Sequence, residues 1–191
     1  MTERKVVFFD RAGEHNTEEA LNIAKDYAKE MGIRYVLVAS TRGNVATKAR
    51  DVFKDSGVNL IIVTHAQGFL EPGKQQFDEN IRRELEEEGI KILTATHVFG
   101  GVDRAISKIL GGTTLVEMIA NSLRMFSEGT KVAVEIVLMA TDAGLIPVNE
   151  DVLSVAGTAK GSDTVLLIKP ANTRNIFDLK VREVLAMPRG K

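Results

Sequence analysis

Met31-Gly32-Ile33 leads into Tyr35-Val36-Leu37-Val38-Ala39, Ser56-Gly57-Val58 leads into Leu60-Ile61-Ile62-Val63, and Glu88-Gly89-Ile90 leads into Ile92-Leu93-Thr94. In each case a helical pattern stops at a glycine, the residue that adopts a left-handed conformation at a helix end without steric cost. A short run rich in Val, Ile and Leu follows. Runs that are apolar on both faces mark strands buried within a parallel sheet.

The segments between these runs read as helices. Ala20, Leu21, Ile23, Ala24, Tyr27, Ala28 and Met31 share one helical face, and Asn16 with Glu19 offers a capping-box start. Ile81 and Leu85 form the shorter stripe of a later helix, flanked by the charged runs Arg82-Arg83-Glu84 and Glu86-Glu87-Glu88. Strands alternating with helices at this spacing predict βαβ units, hence a parallel sheet with helices on both sides. An N-terminal strand over about Lys5 to Phe9 joins the same sheet.

After Thr96 the pattern changes. His97 to Gly112 is punctuated by glycines, with a short helix around Ala105 to Leu110. A helix capped by Thr114 and Glu117 then runs to about Ser127, with Leu115, Ile119, Leu123 and Phe126 inward and Gly129 as its stop. Lys131 to Ala140 is nearly all apolar and reads as the longest strand, interrupted by Glu135. Such a carboxylate must be paired, hydrogen-bonded or protonated; either an ion-pair partner or a functional role satisfies that demand. Thr164–Ile168 and Val181–Met187 read as further strands, the last ending at Pro188. The whole reads as a single α/β domain spanning 1–191.

Composition narrows the chemistry. Of 191 residues, 44% are hydrophobic and 27% charged, enough for a packed core. A formal charge of -1 gives no global attraction to nucleic acid or anionic membrane, and 5% aromatics without tryptophan argue against base-stacking platforms. Cysteine is absent, which excludes thiol nucleophiles, disulfides and cysteine-held metals. The run Val6–Phe9 is too short for a signal sequence, and no apolar stretch approaches the roughly 20 residues of a membrane helix, so the expectation is a cytoplasmic protein.

In open parallel sheets the ligand crevice lies outside the carboxyl ends of the strands. The polar residues expected there are Asp10 to Asn16, Ser40-Thr41-Arg42-Gly43-Asn44, Thr64-His65-Ala66-Gln67-Gly68, Thr94 to His97, and Thr141-Asp142 after the long strand. All three histidines, His15, His65 and His97, fall on this edge, which makes them the candidate acid–base residues. Ser40 to Asn44 is the sharpest motif: a buried strand breaks into a hydroxyl-rich turn and a helix begins near Val45 to Thr47. Exposed amides at that helix start, two hydroxyls and a guanidinium make a cradle for phosphate or carboxylate, although the same hydroxyls could simply cap the helix. No P-loop, GxGxxG or Gly-x-Ser-x-Gly motif is present. The histidines lack helical ligand spacing, so no metal is expected even with Asp10, Glu14 and Asp142 nearby.

The run Val36-Leu37-Val38-Ala39-Ser40-Thr41-Arg42-Gly43-Asn44-Val45-Ala46 resembles the strand–turn–helix opening of the pyruvate kinase C-terminal domain, whose Ser/Thr-rich turn holds an effector phosphate. Lys160-Gly161-Ser162-Asp163-Thr164 through Ile168, then Asn172-Thr173 and Val181–Pro188, is similar to that domain's close, with one inserted residue and a different loop at Pro170–Phe177. The opening Phe8 to Thr17 and the end Met187-Pro188-Arg189 resemble archaeal pyruvate kinase α/β-domain-like proteins that stand apart from the catalytic barrel. Gly100–Gly129 matches poorly.

The resemblance implies a three-layer α/β/α sandwich with a mostly parallel sheet and an antiparallel edge strand. It also implies FMN as bound ligand, and no phosphorylation of pyruvate or ADP. The combined expectation is a protein that binds a phosphorylated small molecule, FMN first, at Ser40, Thr41, Arg42, Gly43, Asn44 and Thr47. The organic part would cross His65, Gln67, His97 and Thr141. The alternatives are a flavin-independent enzyme using histidine chemistry on a phosphorylated metabolite, or an effector-sensing module joined to another subunit. A homo-oligomer is compatible with each.

Overall fold

The computed structural model describes residues 3–190. In chain order it contains β1 (Val7–Phe9), α1 (Thr17–Met31), β2 (Tyr35–Ala39), α2 (Asn44–Phe53), β3 (Asn59–Val63), α3 (Glu79–Glu87) and β4 (Lys91–Leu93). Then follow α4 (Val102–Leu110), α5 (Leu115–Arg124), α6 (Glu128–Asp142), β5 (Val152–Ala156), β6 (Thr164–Lys169) and β7 (Lys180–Pro188). The strands form one sheet in the order β1-β7-β6-β5-β2-β3-β4. All pairs are parallel except those of β6, which runs against both β5 and β7. The reversed strand therefore lies inside the sheet, while the parallel strand β1 occupies the edge.

Strand alternation divides the core into two layers. Val36, Val38, Leu60, Ile62, Leu153 and Val155 face α1, α2 and α3. Leu37, Ile61, Val63 and Val152 face α5 and α6. Both faces are covered, so the central strands are apolar throughout. At the end of α1, Gly32 takes φ 66°, the left-handed cap its sequence position predicts. Asn16 occupies the N-cap position of α1 without capping it; its side-chain amide donates to the Arg11 carbonyl at 2.7 Å instead.

Residues 131–140 are helical, not extended. They belong to α6, a helix buried on nearly every side between the sheet and α5. Ser127 caps its start, its Oγ accepting from the Thr130 amide at 2.8 Å. Gly129, instead of ending α5, sits in the first turn of α6. A Cβ there would lie 2.2 Å from Thr164 Oγ1, so the residue permits the helix to approach the start of β6. The strand that pairs with β2 on the side away from β3 is β5, a run of five buried residues. On α5, Ile119 and Leu123 face the core as expected, whereas Leu115, and Phe126 just beyond the helix, point outward. Among the described residues no helix is long and apolar enough to cross a membrane.

Candidate functional site

Because β1 to β5 and β7 point the same way, the turns after β2, β3, β4 and β5 meet at one rim. α6 starts at this rim too, since its cap Ser127 bonds Thr164 Oγ1 at 3.0 Å, at the beginning of the reversed strand β6. A cavity of about 760 Å³ opens there. It is walled by the 40–45 turn, by His65, Phe69 and Gln76 after β3, by His97 and Gly100 after β4, and by residues 157–161 after β5. Arg104 of α4, Arg124 of α5 and Glu128, Lys131 and Glu135 of α6 complete it.

The start of α2 has two populations of polar groups. Ser40, buried, uses Oγ to accept the Ala46 amide at 3.2 Å, so this hydroxyl caps the helix. Among the described residues the Asn44 and Val45 amides have no protein acceptor, and both residues line the cavity with Thr41 and Arg42. Orphan amides of a first helical turn carry partial positive charge, which suits an anion. Gly43 faces away, toward α3, where a Cβ would meet Ile81 Cδ1 at 2.8 Å. Thr47 bonds back to the Gly43 carbonyl at 3.2 Å and does not line the cavity.

His65 and His97 come together, their ring centroids 5.3 Å apart, with Phe69 at 4.0 Å from the first and 5.2 Å from the second. His65 Nδ1 lies 2.9 Å from Gln76 Oε1, and because an amide oxygen only accepts, this nitrogen carries the proton. In the neutral ring Nε2 is then the acceptor, 3.5 Å from Thr41 Oγ1. His97 has the other constraint: its Nε2 accepts the Ala66 amide at 3.2 Å, which requires a neutral ring. Its Nδ1–H faces Glu135 Oε2 at 3.7 Å. Burial pulls the His97 pKa below the ordinary histidine value, assisted by the nearby Lys131 and Arg104 and opposed by Glu135.

Glu135 has its partner: Lys131, one helical turn earlier, donates to Oε2, while the Phe99 amide donates to Oε1 at 2.8 Å. Both side chains are buried. Burial holds the Lys131 ammonium below the usual lysine range, with Glu135 acting against that shift. Arg124 pairs with Glu128 at 2.9 Å. Arg42 and Arg104 form no carboxylate pair among the described residues, so the cavity retains uncompensated positive charge.

Besides Gly43 and Thr47, four further predicted positions fall outside the cavity lining. Thr141 closes the far end of α6, bonded to the Val137 carbonyl, on the opposite edge of the sheet from the cavity; the helix in place of a strand reverses its expected location. Its neighbour Asp142 accepts from Asn172 and Thr173 there. Gln67 is exposed and donates to the Gly73 carbonyl, outside the cavity wall. His15 is exposed in the 3-10 turn before α1, near the rim but not lining the cavity. Among the described residues no group of three His, Asp or Glu side chains is arranged to hold a metal.

Phe69, Gln76, Arg104, Arg124 and Lys131 line the cavity without having been singled out from the sequence. Only Lys131 carried a signal, its i, i+4 spacing from Glu135.

Comparison with known proteins agrees with this architecture. A family model described as the pyruvate kinase alpha/beta domain matches residues 18–168. The chain is also similar to a pyruvate kinase from Cryptosporidium parvum, at 13% identity and a TM-score of 0.40, covering 78% of this chain and 22% of that one. A second structure, Cryptosporidium parvum pyruvate kinase in complex with ADP, matches at 16% identity and a TM-score of 0.39 with the same coverage. This chain therefore spans about a fifth of the length of those enzymes. With the family model covering β2 through β6 and most of α1, the chain belongs to the pyruvate kinase alpha/beta domain family.

Proposed function

We propose that the rim cavity binds a phosphorylated small molecule, with FMN the foremost candidate, its phosphate at the start of α2. One observation carries the reading: the Asn44 and Val45 amides and the Arg42 guanidinium, all without internal acceptors among the described residues, open into a cavity that is also lined by the His65, Phe69 and His97 rings, Phe69 stacked on His97 and His65 set edge-on to His97. A volume near 760 Å³ lies within the range of ordinary ligand pockets. Arg42, Thr41 and the two amides would hold the phosphate, and the Phe69 and His65 rings would offer aromatic contact to the isoalloxazine ring, the redox-active part of FMN. Gly43, Thr47, Gln67 and Thr141 have no part in this arrangement.

Denaturing the purified protein and weighing what leaves it by mass spectrometry tests the ligand class directly, and flavin fluorescence titration tests FMN. Arg42→Ala is the cleaner variant, because Ser40 also caps α2. Loss of one charge-assisted contact is worth about 1–3 kcal/mol, roughly a 5- to 150-fold weaker affinity. No released phosphorylated compound together with no FMN binding refutes the proposal; unchanged affinity in the variant moves the phosphate elsewhere.

A second reading, acid–base chemistry on a phosphorylated metabolite, rests on His65. Its Nε2 lone pair faces the cavity while Gln76 fixes the tautomer, which are the requirements of a general base. His97 is unsuited to the same task because Nε2 is occupied by Ala66. A pH–rate profile over a panel of phosphorylated metabolites, with His65→Gln as control, decides it; no turnover removes the reading.

A further inference from the structure

The outward residues of α5 and of the turn after it are not isolated. Leu115, Met118, Met125 and Phe126 are 79%, 55%, 85% and 61% exposed. Across the hairpin, α4 buries no residue at all, and Val102, Ile106, Ile109 and Leu110 stand at i, i+4, i+7 and i+8, a helical stripe with nothing packed on it. The hairpin is nonetheless specifically built. Glu117 accepts from Ser107 at 2.9 Å and closes the capping box at Thr114, so the apolar sides of two tied helices are both left outward.

Eight large apolar side chains at these exposures amount to on the order of 1,000 Å², above the ~300–600 Å² of the largest patch on a typical monomer. That area matches the roughly 800 Å² per partner of a stable interface. We propose that a second copy of this chain packs on the α4–α5 hairpin. Asp103 lies in the first turn of α4 and Lys108 in its last, so antiparallel pairing of α4 with its copy about a two-fold axis sets each charge against its opposite. A formal charge of -1 leaves little net repulsion between copies. Two such hairpins face to face make the helix packing that each lacks alone. Arg104 and Arg124 project from the same hairpin into the rim cavity, so the copy sits against the elements that wall the site.

Sedimentation equilibrium of the full chain tests the assignment. At tens of micromolar the expected mass is about twice the 20.9 kDa of one chain. Ile109→Lys and Met125→Lys, made separately at exposed positions and checked by circular dichroism, should each reduce it to a single chain. A wild-type chain that stays at 20.9 kDa overturns the proposal, whether the patch then captures vesicles or a different protein. Self-association that survives both folded variants overturns it equally.

Discussion

Glu135→Gln breaks the most deeply buried ion pair among the described residues. Glutamine keeps the size of the side chain and its oxygen can still accept the Phe99 amide, now at 2.8 Å. What it removes is the negative charge beside Lys131, a residue only 6% exposed. A buried cation deprived of its partner costs about 3–5 kcal/mol. An independent bound comes from deprotonation: discharging a lysine of ordinary pKa near 10.4 at pH 7 costs roughly 5 kcal/mol, at 1.36 kcal/mol per pH unit. The two figures agree, and the second makes the cost depend on pH. At pH 9 discharging the lysine costs only about 2 kcal/mol. Urea unfolding of wild type and variant at both pH values measures the difference. The expected penalty is about 3–5 kcal/mol at pH 7, a large share of a typical 5–15 kcal/mol stability, narrowing as pH rises. A variant within about 1 kcal/mol of wild type at pH 7, or a penalty flat between pH 7 and 9, refutes the reasoning.

Gly129→Ala sets sterics against helix propensity. Propensity alone favours alanine by about 1 kcal/mol, but the new Cβ would fall 2.2 Å from Thr164 Oγ1 and 2.6 Å from its Cβ. The expected result is a net loss of about 1–3 kcal/mol in urea unfolding, and a stabilised variant contradicts the close approach. For His97, the folded pKa lies below the unfolded value near 6.5, so the unfolded chain takes up the proton first. Its contribution is therefore full above about pH 6.5 and is lost as pH falls below it, together with the Ala66 bond. His97→Gln should flatten that acid limb, and an imidazole NMR midpoint at or above 6.5 in the wild type would reverse the sign.

The βαβ half of the fold was legible because each strand there carries a two-sided apolar run bounded by a helix-ending glycine. β2, β3 and β4 lie where Tyr35–Ala39, Leu60–Val63 and Ile92–Thr94 predict, to within a residue. α6 was not legible by the same rule. A helix buried all round is apolar all round, and over a short window that composition is indistinguishable from a central strand. Length separates them: fifteen residues suit a helix and exceed an ordinary strand. β5 was missed for the converse reason, as five residues between Asp151 and Gly157 give too short a pattern to stand out. Turns after the correctly read strands β2, β3 and β4 bring Ser40 to Asn44 and His65 with His97 to one rim, while Gln67 and His15, which also follow correctly read strands, do not line the cavity. Thr141 inherited the error in α6.

The misread segment also explains its own polar pair. Residues four apart in a strand are separated by about 13 Å, too far for contact. In a helix the same spacing brings side chains together on one face. Lys131 and Glu135 could satisfy each other in an apolar run only if that run were helical, so the carboxylate that looked anomalous in a strand was evidence for the helix. The consequence reaches the cavity. As a helix, the segment presents its N-terminal turn to the rim where α2 also begins, so two helix starts from opposite faces of the sheet converge on one crevice. A strand would have offered one row of alternating side chains and no orphan amides. The helix thereby sets its own first turn, with Glu128 and Lys131, opposite the anion site proposed at α2.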